Sequence, residues 1–353
     1  MRKNRKKRVG LVAMAAMLVL GVSACSTDSN QQVEENKLEK RVQEGRTKYP
    51  LTVTTYGTDG TSVETIYEKA PEKVLAVYQG SIETLLELGL EDHIVAAAGL
   101  DNEVPETQKD AFSKIQYLDE FTPSLETTMM LEPDMIFSWG SLFREKTLGD
   151  VNDWIERGTN IYMNTNTHPV SNGESYPKTL ENEYTDILTI GKIFDVQSKA
   201  EQIVDSMKEQ IAKVQEETSH IEEKPTVFII ESMNDRFVNY GQSSLGGDMV
   251  TKLGGVLVNP DASEVGKEDL IAKDADVIFV VYMPYSGDDP EEVKQEKLNE
   301  IYEDEALASL SAVQEQRVIP IMLSEMYASA TRTKDGIITF AKGLYPELKI
   351  QFE

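Results

Sequence analysis

Aromatic side chains follow several predicted strands of this 353-residue chain, at the positions where parallel α/β sheets bind ligands. Flat rings with one polar tip suit a large planar or partly apolar ligand that has hydrogen-bonding edges. Each ring could instead close its strand end against a neighbouring helix. The strand-end candidates, one glutamine among them, are Tyr78, Gln79, Trp139, Tyr282, Tyr285 and Tyr327.

Arginines near these strand ends offer positive charge to a ligand. Arg332 lies just beyond Tyr327, and it could pair with an anionic ligand or with any of the 61 acidic residues. Arg144 and Arg236 are weaker candidates of the same kind. The sequence leaves both kinds of partner open for Arg332.

Two acids occupy matched positions in the two halves of the chain. Glu83 and Asp248 each stand six residues before a glycine, Gly89 and Gly254. A negative charge in the first turn of a helix is favoured by about 0.3–1 kcal/mol, which alone would account for both acids. If the halves fold alike, both carboxylates could also project from one face of the molecule as a pair of docking charges.

Catalytic motifs are absent from the sequence. It has no Gly-x-Ser-x-Gly elbow, no glycine loop for phosphate or dinucleotides and no His-Glu-x-x-His zinc motif. His93, His168 and His220 lie in separate segments, so a histidine metal site would require them to converge. We therefore expect a protein that is not an enzyme and that has no resident cofactor.

Charge and cysteine content exclude further classes. The formal net charge is −26, and such a field repels the phosphates of nucleic acids. The single cysteine excludes an intramolecular disulfide and a thiolate zinc cluster. With 40% hydrophobic and 27% charged residues, most of the chain is expected to fold.

The N-terminus predicts export and lipid attachment. Six basic residues within the first eight precede an apolar run over residues 9–22, which is a signal-peptide pattern too short to span a bilayer. Cys25 follows Val-Ser-Ala, a sequence that resembles a bacterial lipobox, in which the cysteine is acylated by fatty acids such as palmitate. The acyl chains would anchor the protein at the extracytoplasmic face of the cell membrane.

Strands alternate with helices through the rest of the chain, which predicts mostly parallel sheets covered on both faces. A hairpin over 51–68 precedes the first βα series, and a second series begins near residue 225. The amphipathic segment between them is either one long helix or a pair broken near Asp195. We predict two Rossmann-like α/β lobes with mostly parallel sheets, bridged by one long helix, with a ligand cleft between them.

Two short matches in the same order support the similarity of the lobes. Glu83–Gly89 matches Asp248–Gly254, and Asp134–Phe137 matches Asp276–Phe279. The predicted division is a signal peptide at 1–24, a lipidated cysteine and tether at 25–48, an N-terminal lobe at 49–178, a connecting helix at 179–219 and a C-terminal lobe at 220–353.

Taken together, these features resemble the iron-siderophore type of substrate-binding lipoproteins that serve ABC importers. The segments that carry the resemblance are the lipobox at Cys25, Ser81–Gly89, Leu131–Phe137, Ile190–Phe194 and Asp335–Pro346. The resemblance implies the class III periplasmic-binding-protein fold with little hinge closure. It also implies a monomer whose partners are an importer permease and its ATPase.

The resemblance further implies that Glu83 and Asp248 dock onto basic residues of the permease, although the family more often has Glu at the second position. The implied ligand is a ferric siderophore, and the scarcity of basic residues around the cleft favours a neutral hydroxamate complex. Haem is the alternative, with Tyr78 or Met326 as an iron ligand, and cobalamin is a third possibility. The alternative of another class is an extracytoplasmic enzyme or a surface adhesin.

Overall fold

The computed structural model describes residues 46–170, 176–285 and 287–352. The predicted signal peptide, Cys25 and almost all of the predicted tether lie outside these residues. The chain from Thr47 onward forms one compact unit. Within the described part, no helix has both the length and the apolar character that a membrane span requires.

A β-hairpin opens the folded region. Strand β1 (Leu51–Tyr56) pairs antiparallel with β2 (Ser62–Tyr67), and Gly60 adopts a φ of 81° in the turn between them. Buried and exposed residues alternate along both strands, and Tyr67 is fully buried. The hairpin predicted from this alternation is confirmed.

The N-terminal lobe is built on four parallel strands in the order β4-β3-β5-β6. The strands are β3 (Val74–Val77), β4 (Ile94–Ala98), β5 (Met135–Ser138) and β6 (Asn160–Met163). The helices are α1 (Gln79–Glu87), α2 (Lys109–Phe112), α3 (Leu125–Leu131) and α4 (Val151–Glu156). In β3, Val74 and Ala76 join one hydrophobic core while Leu75 and Val77 join another, as expected for a strand covered on both faces.

The C-terminal lobe contains a mixed sheet in the order β10-β8-β7-β11-β12, with β9 also paired to β7. The strands are β7 (Thr226–Met233), β8 (Arg236–Asn239), β9 (Val256–Leu257), β10 (Glu264–Val265), β11 (Val277–Tyr282) and β12 (Val318–Met322). The helices are α7 (Leu245–Lys252), α8 (Lys267–Lys273), α9 (Pro290–Tyr302), α10 (Ser311–Gln314), α11 (Leu323–Met326) and α12 (Thr333–Leu344). Strand β11 is parallel to β7 and β12, whereas β8 is antiparallel to β7.

The two lobes are connected by a pair of helices, α5 (Leu180–Ile193) and α6 (Gln197–Glu217). The break between them lies at Asp195, whose backbone has a left-handed φ of 58°. The helix pair is therefore correct and the single helix is not. Residues of both helices and of both lobes share one hydrophobic core, so the lobes are joined by packing as well as by the chain.

The matched Asp-x-Ile-Phe segments have the same structural role in both lobes. Asp134 accepts hydrogen bonds from the backbone N–H groups of Glu72 (2.8 Å) and Lys73 (2.9 Å), immediately before β3. Asp276 accepts one from the N–H of Thr226 (2.7 Å), at the start of β7. Each carboxylate ties its own strand to the neighbouring parallel strand, which agrees with the predicted similarity of the halves.

Candidate functional site

Three of the predicted strand-end rings meet between the lobes. Tyr78 follows β3 and Trp139 follows β5 in the N-terminal lobe, while Tyr327 follows α11 in the C-terminal lobe. The ring centroid of Trp139 lies 4.5 Å from that of Tyr78 and 5.4 Å from that of Tyr327. We refer to these three rings as the aromatic cluster. Because it joins both lobes at strand ends, the cluster is the best candidate for a ligand site.

The backbone at Tyr78 is strained. Its φ of 75° and ψ of 156° lie in a region that only glycine enters readily. Gly99 packs directly against it, since a Cβ there would lie 3.2 Å from Cδ1 of Tyr78 and 2.9 Å from the carbonyl oxygen of Phe121. Strain of this kind concentrates at functional sites, which supports the assignment of the cluster.

The space beside the rings is small. This cavity has a volume of about 10 Å³, and Gln79, Asp101 and Ser329 also line it. A single water molecule has about this size, whereas small-molecule sites usually measure about 300–1,000 Å³. A larger ligand can therefore occupy this cavity only when the residues that line it move apart.

Tyr282 and Tyr285 lie apart from the aromatic cluster. No ring contact joins either residue to it in the described ranges. Tyr285 is 58% exposed. Tyr282 is half-buried, and burial raises the pKa of its hydroxyl to about 12. Their assignment as ligand contacts stays a prediction.

Arg332 forms a buried ion pair with Glu83 across the two lobes. Its Nε donates to Oε2 of Glu83 (2.8 Å) and its Nη2 donates to Oε1 (2.7 Å), while the two side chains are 8% and 1% exposed. Burial raises the pKa of Glu83, and the charge and hydrogen bonds of Arg332 oppose that rise. Of the two partners that the sequence left open for Arg332, the structure shows an acid.

Glu83 is therefore placed differently from the sequence-based expectation. A docking residue must present its carboxylate to a partner, but both oxygens of Glu83 accept hydrogen bonds inside the protein. The helix-dipole argument could not anticipate this, because Arg332 is distant in the sequence. In the described conformation Glu83 is not available to a permease.

Gln79 links this ion pair to the candidate site. Its Nε2 donates to Oε1 of Glu83 (2.5 Å), and its Oε1 accepts hydrogen bonds from the backbone N–H groups of Asp101 (3.1 Å) and Asn102 (3.2 Å). The predicted ligand contact Gln79 thus acts as a buried connector that fixes the loop after β4.

A second buried acid fastens the C-terminal lobe to the connecting helices. Glu183 of α5 accepts hydrogen bonds from the backbone N–H of Ala330 and from the side-chain amide of Asn166. Burial and the nearby Asp186 raise the pKa of Glu183 to about 8. The close approach of the lobes continues at Gly80, where a Cβ would lie only 2.4 Å from the carbonyl oxygen of Ala328.

Asp248 also makes an internal contact. Its Oδ2 accepts a hydrogen bond from the backbone N–H of Leu180 (2.8 Å), at the first residue of α5. The carboxylate therefore stabilises a helix start that belongs to the connecting segment. Whether Asp248 also meets a permease stays a prediction.

Other candidates lie away from the cluster. Met326 is fully buried and contacts the position of Gly246 in α7, so its thioether does not face the space between the lobes, contrary to the haem-ligand hypothesis. Arg236 pairs with Glu264 (3.3 Å) on the exposed edge of the C-terminal sheet. Arg144 is exposed, near the hydroxyl of Tyr78.

The histidines occupy separate environments. The ring of His168 stacks between Tyr56 (3.9 Å) and Tyr176 (3.8 Å), whereas Nδ1 of His93 contacts the carbonyl oxygen of Pro71 (2.6 Å). Across the described ranges, no three His, Cys, Asp or Glu side chains group in a way that could hold a metal ion.

Two residues beside the cluster escaped the sequence analysis. Asp101 lines the small cavity, and Nζ of Lys178 donates to the hydroxyl of Tyr327 (3.0 Å) and lies 4.2 Å from its ring centroid. Asp101 follows β4, so the strand-end rule that identified Tyr78 would have found it if acids had been counted with the aromatic residues. Lys178 lies far from any strand end, and no sequence signal marks it.

Two larger grooves lie elsewhere. One, of about 810 Å³, runs between α1, α6 and the start of α12, where Glu83, Arg332 and Asp335 form part of its wall. The other, of about 730 Å³, follows the acidic surface of α9, and Glu296 and Glu300 belong to its lining. Neither is lined by the aromatic cluster.

Comparison with known proteins agrees with this architecture. The sequence model of the periplasmic binding protein family matches residues 74–322. The chain belongs to this family. The match runs from β3 to the end of β12, so the family's characteristic region contains both sheets, the connecting helices and two of the three clustered rings.

Relatives of this periplasmic binding protein are known in bacteria. It is 22% identical over 344 residues (97% of this chain and 98% of the relative) to the uncharacterized ABC transporter substrate-binding lipoprotein YvrC of Bacillus subtilis (strain 168). It is also 22% identical over 332 residues to the petrobactin-binding protein YclQ of that organism, covering 92% and 93% of the two chains. A crystal structure of a periplasmic binding protein from Veillonella parvula DSM 2008 superposes with a TM-score of 0.77 at 28% identity, covering 86% and 93%.

Proposed function

We propose that this protein is an extracytoplasmic receptor of an ABC importer that captures a ferric siderophore between its lobes. The observation that carries the proposal is the contact of Tyr78, Trp139 and Tyr327 across the two lobes at their strand ends. The relatives named as a substrate-binding lipoprotein and as a petrobactin-binding protein support it. Attachment to the membrane through Cys25 completes the proposal, because a tethered receptor stays near its permease.

A ferric hydroxamate is the first ligand to test. The cluster offers aromatic surface. Of the basic residues beside it, Arg332 is neutralised by Glu83, which leaves Arg144 and Lys178. A highly anionic complex would therefore find little compensating charge. Haem is less favoured than a ferric siderophore. Of the two iron ligands that the sequence suggested, the thioether of Met326 is buried away from the site, which leaves Tyr78.

A thermal-shift panel tests the proposed function. The purified full chain is heated with ferric hydroxamates, ferric catecholates, haem or cobalamin, because a ligand that binds only the native state raises the melting temperature. We expect a rise with at least one ferric siderophore. No rise with any member of the panel would contradict the proposal, and a rise with haem or cobalamin alone would replace the ligand class.

A further inference from the structure

An unpaired carboxylate and an unpaired indole N–H line the same small cavity. In the part of the chain that the structure describes, the carboxylate of Asp101 makes no ion pair and accepts no hydrogen bond; only its backbone N–H is bound, by Gln79. Nε1 of Trp139 is buried without a partner. A buried polar group without a partner is unfavourable, so the indole N–H of Trp139 is a candidate for a group that a ligand satisfies, and the half-buried carboxylate of Asp101 is available to accept from the same ligand.

The position of Asp101 is set by the interlobe contacts. Gln79 holds the backbone of Asp101 with one end of its amide and Glu83 with the other, and Glu83 is held in turn by Arg332. The carboxylate therefore stands on a loop that is fixed from both lobes. A group fixed in this way is preorganised for recognition.

The aromatic cluster already accommodates an ammonium group. Nζ of Lys178 lies 4.2 Å from the ring centroid of Tyr327 and donates to its hydroxyl, a cation–π arrangement. The ring of Trp139 lines the cavity together with Asp101, and the ring of Tyr78 lies against that of Trp139. The volume of about 10 Å³ suits a group the size of water, which is also the size of an ammonium group.

The carboxylate of Asp101 can balance a ligand cation at the cavity. Burial raises the pKa of Asp101 to about 6, so the carboxylate is ionised at neutral pH. Arg332 is neutralised by Glu83, Arg144 is exposed near the hydroxyl of Tyr78, and Nζ of Lys178 is engaged by the hydroxyl and ring of Tyr327. The net charge of −26 attracts cations to the whole molecule.

We propose that Asp101 is a specificity-determining residue that selects ferric complexes carrying a free, positively charged amine. The ammonium group donates to the Asp101 carboxylate against the aromatic cluster, while Nε1 of Trp139 donates to an oxygen of the same ligand. The bulk of the complex occupies the space that opens when Trp139 and Tyr327 separate. This inference rests on the proposed function and names the chemistry of its ligand.

Two probes that differ only in the amine test the inference. One is a linear ferric tris-hydroxamate ending in a free primary amine, and the other is the same complex with the amine acetylated. Calorimetric titration of the full chain should give at least about tenfold tighter binding of the free amine. Asp101→Asn should reduce this ratio to about twofold or less, whereas Asp205→Asn, at an exposed position of α6, should preserve it.

Each outcome decides one of the two proposals. Equal binding of both probes by the unmodified protein, or an undiminished preference in Asp101→Asn, overturns the role of Asp101 and leaves the receptor function in place. If the protein binds an amine-free ferric complex but not the free-amine probe, the role of Asp101 is again overturned and the receptor function stays in place. Failure of every ferric siderophore, including a catecholate, overturns the capture of a ferric siderophore that the proposed function states.

Discussion

The two lobes repeat one plan but use their matched acids differently. Asp134 and Asp276 make equivalent contacts, each accepting backbone N–H groups at the start of the adjacent strand. Glu83 and Asp248 stand at matched positions in the sequence, yet Glu83 lies beyond the first turn of α1 and pairs with an arginine of the other lobe, while Asp248 lies in the first turn of α7 and binds the first residue of α5. Contacts between neighbouring strands of a sheet are preserved between the lobes, whereas contacts made by the helices have diverged.

The difference follows from what each contact requires. A carboxylate beside its own sheet finds the same backbone donors in both lobes, because parallel strands recur with the same spacing. A carboxylate that projects from a helix binds the groups that other parts of the chain bring next to it, and these groups differ between the two lobes. The lobes are therefore symmetric in their sheets and asymmetric where they face each other.

Breaking the Glu83–Arg332 pair should have the largest effect. Glu83→Ala leaves a buried arginine unpaired, so we expect a loss of about 3–5 kcal/mol in the free energy of unfolding. The double variant Glu83→Ala with Arg332→Met should lose less than Glu83→Ala alone, because it removes both charges. Urea denaturation measures both values.

A matched control exists in the exposed pair of Arg236 and Glu264, whose side chains are 57% and 60% exposed. Removing Glu264 should change the midpoint of denaturation far less. Equal losses at Glu83 and Glu264 would show that the interlobe pair does not hold the lobes together.

Glu183 should make stability depend on pH. Burial and Asp186 raise its pKa from 4.5 to about 8, so the native state binds one more proton than the unfolded state between these values. Stability therefore falls as pH rises from about 4.5 to about 8. Glu183→Gln, which keeps the shape, should flatten that part of the profile. Urea midpoints for both proteins at several pH values across this window provide the test; identical slopes would contradict the account.

The matched aspartates should give smaller and similar effects. Asp134→Ala and Asp276→Ala each remove charge-assisted hydrogen bonds to backbone groups, and we expect about 2 kcal/mol for each. Asp248→Ala should cost about 1 kcal/mol, the usual worth of a charge at a helix start. If the losses in the free energy of unfolding for Asp134→Ala and Asp276→Ala differed by several kcal/mol, the two contacts would not be equivalent.

Local patterns predicted much of the fold. Alternation in LTVTTY and SVETIY predicted the hairpin, and apolar runs such as VIFVVY predicted buried parallel strands, since these signals arise within one element. The sequence located a possible break near Asp195, but it could not decide between one long helix and two helices, because both would bury the same apolar face. The strand-end rule brought Tyr78, Trp139 and Tyr327 together correctly.

Contacts between residues that are distant in the sequence could not be predicted from it. Arg332 had many possible acids, and its choice of Glu83 depends on how the lobes face each other. Met326 is buried because α11 packs under α12, which no spacing in the sequence indicates. Asp101 was overlooked because the strand-end rule was applied chiefly to aromatic residues, and the lack of a partner for its carboxylate is visible only in the structure.

The most direct test of the account is ligand binding by two tryptophan variants. Trp139 belongs to the aromatic cluster, whereas Trp154 is 4% exposed in the outer core of the N-terminal lobe. With the ferric complex that gives the largest thermal shift, Trp139→Ala should bind at least about tenfold more weakly than the unmodified protein, and Trp154→Phe should bind equally well. Unchanged affinity in Trp139→Ala would place the ligand elsewhere and contradict the central claim.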